Sequence, residues 1–291
     1  MVSGALECIH CSVSGWSVLY RVNRDGRFRV LKALKQEYRG RVLYESLLKK
    51  EYEIGYSLSH PGVCEVYGFV DDPSLGHAIE MEWIDGCPLD ELLSRGSLKP
   101  GAALRLADQL CDAVSYLHSR QIVHRDIKPS NILVTHNGVN VKLIDFGLSD
   151  SDSWASLKGA AGTRPFVAPE VVISGVADVR SDIWSIGKVL SMLMPGKTRA
   201  VRKCMAADPD RRYQSAEDLK KALHRRAWPV LLVAGLAVAL TVAAVLLMPR
   251  KAAPAPIEDA VPERDSVPAM VTDTAVIDEL FRQATDIISS H

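Results

Sequence analysis

The stretch His124-Arg125-Asp126-Ile127-Lys128-Pro129-Ser130-Asn131, followed by Asp145-Phe146-Gly147, decides how this sequence is interpreted. Asp126 is suited to orient an incoming hydroxyl group and to accept its proton. Asn131 and Asp145 offer oxygen ligands, which are the ligands that Mg²⁺ prefers. Transfer of a phosphoryl group needs an aligned hydroxyl, neutralised phosphates and bridging metal ions, with little covalent help from the protein. The stretch therefore predicts a phosphoryl-transfer site.

A predicted β-hairpin brings the two segments together. Residues 132–135 and 139–144 are strand-like, and the turn His136-Asn137-Gly138 joins them. Because the two strand ends meet, we expect Asn131 and Asp145 to face one metal–phosphate cluster.

The hydrophobic pattern of the remaining chain predicts an α+β fold. Strand-like residues 17–23 and 27–34 flank Arg24-Asp25-Gly26, a sequence typical of a hairpin turn. Helical periodicity follows over residues 44–58, 101–119, 181–194 and 215–226. A small β-rich lobe should therefore precede a larger helical lobe.

Over about residues 9–226, the motifs resemble the eukaryotic-like (Hanks-type) serine/threonine protein kinases, in the bacterial arrangement with one C-terminal transmembrane helix. The resemblance implies a kinase domain over residues 1–226, with the two-lobed fold: an N-lobe over about 1–83 and a shortened C-lobe over about 84–226. It also implies ATP and Mg²⁺ as cofactors. Lys128 after Asp126 is similar to the serine/threonine branch, as is Gly162-Thr163.

The resemblance assigns roles residue by residue. Asp126 and Lys128 are the catalytic residues, and Asn131 and Asp145 are the metal ligands. Lys32 corresponds to the lysine that holds the ATP phosphates, with Glu51 as its partner. The other ATP-binding candidates lie in the covering loop, the base pocket and the hinge: Ser12, Ser14, Gly15, Ser17, Leu19, Val30, Glu82, Ile84 and Leu133, with Met81 as gatekeeper. In the C-lobe, Glu170 should pair with Arg212, and Asp182 should brace the catalytic loop.

Two features depart from the family pattern. The covering loop, residues 12–19, has serine at all three positions where the family has glycine, and serine adds a Cβ and a hydroxyl where backbone should approach phosphate. Residues 188–201 are also too few for a helix that, in typical members, helps to dock protein substrates. Docking of generic substrates is therefore expected to be poor.

Residues 229–248 (PVLLVAGLAVALTVAAVLLM) carry no charge and are long enough to span a bilayer as a helix. Basic residues are more numerous before the span than after it, which predicts a cytoplasmic kinase domain. Residues 249–291 are rich in proline and alanine at first and read as a short extracytoplasmic tail. The chain is therefore expected to be a single-pass membrane protein in contact with lipid.

Composition bears on the partners, the compartment and the metal sites of the protein. The formal net charge is +0, which argues against a nucleic-acid partner. The six cysteines show no disulfide spacing, which favours a reducing compartment. Cys8 and Cys11 form one C-x-x-C pair; a zinc site would need a second pair, and plain strand thiols are the alternative.

Three functions remain open. The first is an active serine/threonine kinase that acts on protein substrates, including other copies of itself. The second is a pseudokinase scaffold that binds nucleotide or a partner, favoured by the serine-rich loop and the absent docking helix. The third, compatible with the first, is a kinase that responds to a signal sensed by the tail.

Overall fold

The computed structural model describes residues 6–12, 15–96, 98–137, 139–146, 164–196, 198–224 and 240–241, without the side chains of Arg164 and Thr198. The chain divides into two units, Met1–Ala227 and Trp228–His291. Nearly all described residues belong to the first unit.

The N-terminal lobe contains a five-stranded antiparallel sheet with the order β1-β2-β3-β5-β4. Its strands are β1 Glu7–Cys11, β2 Ser17–Arg24, β3 Arg27–Leu34, β4 Val66–Asp72 and β5 Gly76–Glu82. Asp25 and Gly26 have φ of 51° and 76°, the left-handed conformation of a tight hairpin turn. The predicted hairpin is therefore confirmed.

Helix α1, Val42–Tyr56, packs against this sheet. It buries Leu47, Leu48 and Glu51, which recur at helical spacing, so one face of the helix points towards the sheet. Two apolar side chains and a carboxylate thus enter the lobe from a single element, and the carboxylate lies beside β3.

The C-terminal lobe is mainly helical. A small sheet, β6 Gly86–Pro88, β7 Ile132–Thr135 and β8 Val141–Leu143, borders the cleft. The helices are α2 Leu89–Ser94, α3 Pro100–Ser119, α4 Pro169–Ser174, α5 Val179–Leu193, α6 Thr198–Cys204 and α7 Ala216–His224. Buried residues of α3 and α5 form the centre of the core, so the predicted two-lobed α+β architecture is confirmed.

Helices α5 and α6 follow each other almost directly, with residues 194–197 between them. A Cβ on Gly187 would lie 2.5 Å from the Cβ of Cys204, so glycine lets the two helices approach closely. No further helix lies between them among the residues described, which agrees with the predicted loss of the docking helix. Val172, Ile173 and Val176 are exposed at and just beyond the end of α4.

The predicted transmembrane segment, residues 229–248, lies outside the described residues except for Leu240 and Thr241. Within the parts of the chain that are described, no helix has the length and apolar character needed to cross a bilayer. The tail, residues 249–291, is likewise outside them.

Candidate active site

Lys32 lies at the centre of the cleft. Strand β3 places its ammonium group 2.5 Å from Oε1 of Glu51 on α1 and 2.9 Å from Oδ1 of Asp145. The side chains of Lys32 and Glu51 are only 6% and 3% exposed. Three elements far apart in the chain thus deliver the charges that the sequence analysis expected to act together.

Burial and charge act in opposite directions on this pair. Burial disfavours the ammonium of Lys32, but the carboxylates of Asp145 and Glu51 outweigh it and raise the lysine pKa. Burial raises the pKa of Glu51 to about 7, although the nearby Lys32 opposes the shift. Lys32 therefore keeps its positive charge, and Glu51 titrates near neutrality.

Asp126 is the second centre of charge. Its Oδ2 accepts hydrogen bonds from Lys128 Nζ at 2.8 Å and from Asn131 Nδ2 at 2.9 Å. Its Oδ1 is buried and has no hydrogen-bond partner among the described residues. Burial raises the pKa of Asp126, and Lys128 partly offsets the shift. Such an acceptor, with one oxygen fixed and the other unpaired, suits a base for an incoming hydroxyl.

The arrangement fits a magnesium–nucleotide complex. Asn131 donates through Nδ2 to both Oδ2 and the backbone oxygen of Asp126, which leaves its amide oxygen for a cation. The side chain of Asp145 is 42% exposed and its backbone has φ of 69°, a conformation that is costly for a residue with a Cβ. These two oxygen donors on one cleft match the ligands of Mg²⁺, which takes its remaining ligands from phosphates and water.

Asp182 on α5 binds the backbone of the predicted catalytic loop, residues 124–131. Its carboxylate, fully buried on α5, accepts the backbone N–H groups of His124 at 2.8 Å and Arg125 at 2.9 Å. It also lies 2.9 Å from Nε2 of His118. Arg125 has φ of 67°, so these bonds stabilise a loop conformation that would otherwise be unfavourable. The predicted brace is present.

Two further contacts stabilise the C-terminal lobe near the catalytic loop. Glu170 accepts two hydrogen bonds from Arg212, at 2.7 and 2.8 Å, and the arginine side chain is fully buried. Phe146 is buried, and its ring lies 5.5 Å from the ring of His124. Phe146, before residues 147–163, and Glu170, after them, are therefore both held by packing or hydrogen bonds.

The predicted base pocket is a single apolar cluster. Val30, Met81 and Ile84 are buried in it, and Leu19 and Leu133 pack against it. These side chains come from β2, β3, β5, the hinge and β7, so the residues predicted to contact adenine lie together in the structure.

The hinge residue Glu82 has a partner that the sequence analysis missed. Lys142 donates to its carboxylate at 2.7 Å, and the backbone N–H of Glu82 donates to the oxygen of Glu65 at 2.9 Å. No sequence motif predicts this pair, because Lys142 on β8 and Glu82 on β5 belong to different sheets and are far apart in the chain.

The described residues of the covering loop, 12 and 15–19, contain an internal hydrogen bond. Ser12 Oγ accepts the backbone N–H of Gly15 at 2.8 Å, and a Cβ on Gly15 would lie only 2.4 Å from that oxygen. Trp16 is buried, with its ring 5.5 Å from Lys32 Nζ and 6.4 Å from the ring of Tyr44.

Ser17 is half-buried where β2 begins, and Ser14 lies outside the described residues. The hydroxyl of Ser12, one of the predicted ATP-binding residues, thus binds within the loop. The inward position of Trp16 was not predicted either, because one aromatic residue in a loop carries no directional signal.

Comparison with known proteins agrees with this geometry. A family model described as a protein kinase domain matches residues 14–228. The chain is 28% identical over 228 residues to the serine/threonine-protein kinase PrkC of Bacillus subtilis, covering 65% of this chain and 35% of PrkC. It is 30% identical over 241 residues to a probable serine/threonine-protein kinase of Streptomyces coelicolor, covering 68% of this chain and 36% of that one. The chain therefore spans about a third of the length of these relatives.

A solved structure shares the fold. The PknI kinase domain of Mycobacterium tuberculosis superposes with a TM-score of 0.59 at 20% identity, over 77% of this chain and 96% of that one. The fold, the match over residues 14–228 and the contacts of the cleft point the same way. This chain belongs to the protein kinase domain family.

Proposed function

We propose that this chain is a membrane-anchored serine/threonine protein kinase that uses Mg²⁺ and ATP. The observation that carries the proposal is the joint placement of two charge clusters in one cleft. Lys32 bridges Glu51 and Asp145, and Asp126 is held by Lys128 and Asn131. A scaffold that binds only a partner protein has no need of this complete set.

Each residue has a defined task. ATP supplies the phosphoryl group, and Mg²⁺ neutralises charge on its phosphates. Lys32 orients the phosphates, and Glu51 keeps the lysine in place. Asp126 aligns the substrate hydroxyl and takes its proton on Oδ1, which has no partner among the described residues, while Lys128 offsets the charge that develops beside it. Asn131 and Asp145 would hold the metal.

The choice of serine and threonine as acceptors rests on Lys128 and on the names of the relatives. A lysine two positions after Asp126 is typical of the serine/threonine branch, and PrkC carries that specificity in its name. Thr163, the other signal for this branch, lies outside the described residues.

The membrane anchor is proposed from residues 229–248, which hold no charged side chain over a length that crosses a bilayer. The kinase domain would then be cytoplasmic and residues 249–291 extracytoplasmic. If the segment spans the membrane, the full-length protein stays in the membrane pellet during alkaline carbonate extraction. Release into the supernatant would argue against the anchor.

Lipid contact beside the anchor rests on few residues. Lys220 donates to both oxygens of Asp112 at 2.7 Å, and Lys221 lies 2.8 Å from Glu217. Both lysines are therefore neutralised within the domain. Arg225 and Arg226, which lie outside the described residues, remain to meet anionic headgroups.

Autophosphorylation between neighbouring copies is the proposed outcome of this arrangement. Without the docking helix, capture of substrate relies on local concentration, which a shared membrane raises. A phosphate on the segment before Ala168 would find a partner in Arg125 by charge-assisted hydrogen bonds. The candidate acceptors, all outside the described residues, are Ser149, Ser151, Ser153, Ser156 and Thr163.

The test is phosphopeptide mass spectrometry of the full-length protein in liposomes with Mg²⁺ and ATP, beside Asp126→Asn. We expect phosphoserine or phosphothreonine within residues 149–163 in the wild type only. Equal phosphorylation in both proteins would point to a contaminating kinase. If neither protein is phosphorylated within residues 149–163 at saturating ATP, the result would favour the scaffold function instead.

A further inference from the structure

The hinge between the two lobes, residues 82–84, is bonded to the short segment that precedes β4. Glu82 donates its backbone N–H to the oxygen of Glu65 at 2.9 Å. In return, the N–H of Glu65 donates to Oε2 of Glu82 at 3.2 Å. Residues 62–65, called the bridging segment below, therefore hold both the backbone and the side chain of the first hinge residue.

The bridging segment is itself fixed to β8. Leu143 N–H donates to the oxygen of Gly62 at 2.8 Å, and Cys64 N–H donates to the oxygen of Leu143 at 2.9 Å. The segment thus connects the hinge, which follows the five-stranded sheet, to the small sheet of the C-terminal lobe.

Lys142 on β8 makes a direct bond across the same boundary. Its ammonium donates to Oε2 of Glu82 at 2.7 Å and to the backbone oxygen of Val63 at 3.5 Å. The side chains of Lys142 and Glu82 are 18% and 23% exposed, so water screens this ion pair only in part. One carboxylate oxygen of the hinge therefore accepts two donors, the N–H of Glu65 and the ammonium of Lys142.

The surroundings of the pair make the lysine hard to replace by water. Cys64 is buried beside it, and burial raises the pKa of its thiol to about 12, with a further contribution from the charge of Glu82. Lys142 is the one cation that forms an ion pair with Glu82 within the described part of the chain. A partly buried carboxylate that loses its only counter-charge is driven towards water. Because Glu82 is the first hinge residue, its backbone would move with it.

We infer that Lys142 is a positioning residue for adenine, which holds the hinge where its backbone can bind the base. The inference rests on the proposed kinase function, in which the hinge binds ATP, and it adds a residue outside the predicted ATP-binding set. Ile84, two residues after Glu82, is buried in the same apolar cluster as Val30 and Met81. A displacement of Glu82 is therefore passed directly to the residues that line the predicted base pocket.

A second ion pair on the same strand supplies a matched control. Glu80 lies on β5 two residues before Glu82 and accepts a hydrogen bond from Arg24 at 2.7 Å, the same length as the bond from Lys142. The side chains of Arg24 and Glu80 are 25% and 14% exposed, so this pair is buried to a similar extent. It joins β2 to β5 within the N-terminal sheet. Arg24→Met therefore removes a comparable bond without releasing the hinge.

The test compares wild type, Lys142→Met, Lys142→Arg and Arg24→Met as full-length proteins in detergent micelles. Calorimetric titration with Mg²⁺ present gives the Kd for ADP and for adenosine, and initial rates give kcat and the KM for ATP. We expect Lys142→Met to raise both Kd values and the KM about fivefold, the value of one hydrogen bond between hinge and base. The kcat should stay within about twofold of wild type, because the catalytic aspartate is untouched. Lys142→Arg keeps the charge and should restore most of the affinity, and Arg24→Met should bind as wild type does.

Glu82→Gln weakens the same ion pair while keeping an acceptor for the N–H of Glu65, so it replaces Lys142→Met if that variant does not fold. It should raise both Kd values about twofold.

Several results would overturn the inference. Unchanged Kd values in Lys142→Met would do so, as would an equal rise in Arg24→Met, which would indicate general loosening of the lobe. Weaker binding of ADP with unchanged binding of adenosine would place the effect on the phosphates instead of the base. Neither titration requires phosphoryl transfer. A wild type that binds both ligands but transfers no phosphate would therefore contradict the kinase function alone, and one that binds neither would overturn the role of Lys142.

Discussion

The nucleotide cleft has a lower wall from the C-terminal lobe and an upper wall from the N-terminal lobe, and the two walls are built differently. On the lower wall, Asp126 and Asn131 are buried, bonded to each other and supported by Asp182 from α5. On the upper wall, serines replace the glycines of the covering loop, and Ser12 holds the amide of Gly15 that a phosphate would otherwise use. The predicted catalytic residues thus match the family pattern more completely than the loop that is predicted to bind the nucleotide phosphates. We expect a kinase with adequate turnover and a high KM for ATP.

The largest effect should come from Lys32→Met, which removes the cation that joins the two walls. We expect kcat/KM to fall by about 10²–10³-fold, because the charge acts on phosphates in a water-poor cleft. Lys49→Met is the matched control, since Lys49 is exposed on the same helix as Glu51. Near-normal turnover of Lys32→Met, with both variants folded by circular dichroism, would refute the assignment.

The support of the lower wall can be removed at Asp182. Asp182→Ala leaves the backbone N–H groups of His124 and Arg125, and His118, without their acceptor, which should cost about 3 kcal/mol. The control Asp178→Ala removes the N-cap of the same helix, bonded to Arg180 N–H, and a partly exposed ion pair with the Arg180 side chain, at about 1–2 kcal/mol together. Thermal unfolding should show Tm falling about 2–4 °C per kcal/mol. Equal shifts in the two variants would contradict the bracing role.

Activity should fall on acidification well above the range of an ordinary carboxyl group. The pKa of Asp126 is raised by burial, and that of Glu51 is raised to about 7. As pH drops through a raised pKa the group gains its proton earlier, so Asp126 loses its ability to accept a proton and Glu51 its hold on Lys32. We expect kcat/KM to fall by about tenfold per pH unit on this limb. A flat profile down to pH 5, in protein shown to be folded, would exclude this.

The smallest effect should follow from repair of the upper wall. The triple variant Ser12→Gly, Ser14→Gly, Ser17→Gly frees the loop amides and should lower the KM for ATP by about fivefold, the value of one hydrogen bond. Ser12→Ala removes only the hydroxyl that binds the Gly15 amide and keeps the Cβ, so it should give part of the same decrease. A higher KM in both variants would mean that the serine hydroxyls contact phosphate.

Sequence reasoning predicted the lower wall well, because its residues are adjacent in the chain. Residues 124–131 carry Asp126, Lys128 and Asn131 together, and the hairpin of β7 and β8 supplies Asp145. The pairing of Lys32 with Glu51 was also predicted, but only through the family resemblance, since nothing local in the sequence links β3 to α1.

The unpredicted features depend on tertiary packing. Lys142 on β8 meets Glu82 at the end of β5, in the other sheet, and Trp16 turns inward towards Lys32 and Tyr44. The bulge in β1 between Cys8 and His10 arises from strand register, which a short alternating pattern does not specify. Hydrophobic periodicity identifies an element and its buried face, but it does not identify the partner.

The central claim, a complete catalytic wall beneath a weakened nucleotide loop, is tested most directly by one titration. Initial rates of phosphoryl transfer are measured against ATP concentration, with excess Mg²⁺, for the full-length wild type and for Asp126→Asn. We predict a saturable wild-type rate with a KM at or above the upper end of the common range, about 1 mM, and only background in the variant. If the wild-type rate did not exceed the Asp126→Asn rate at any ATP concentration, the account would be contradicted.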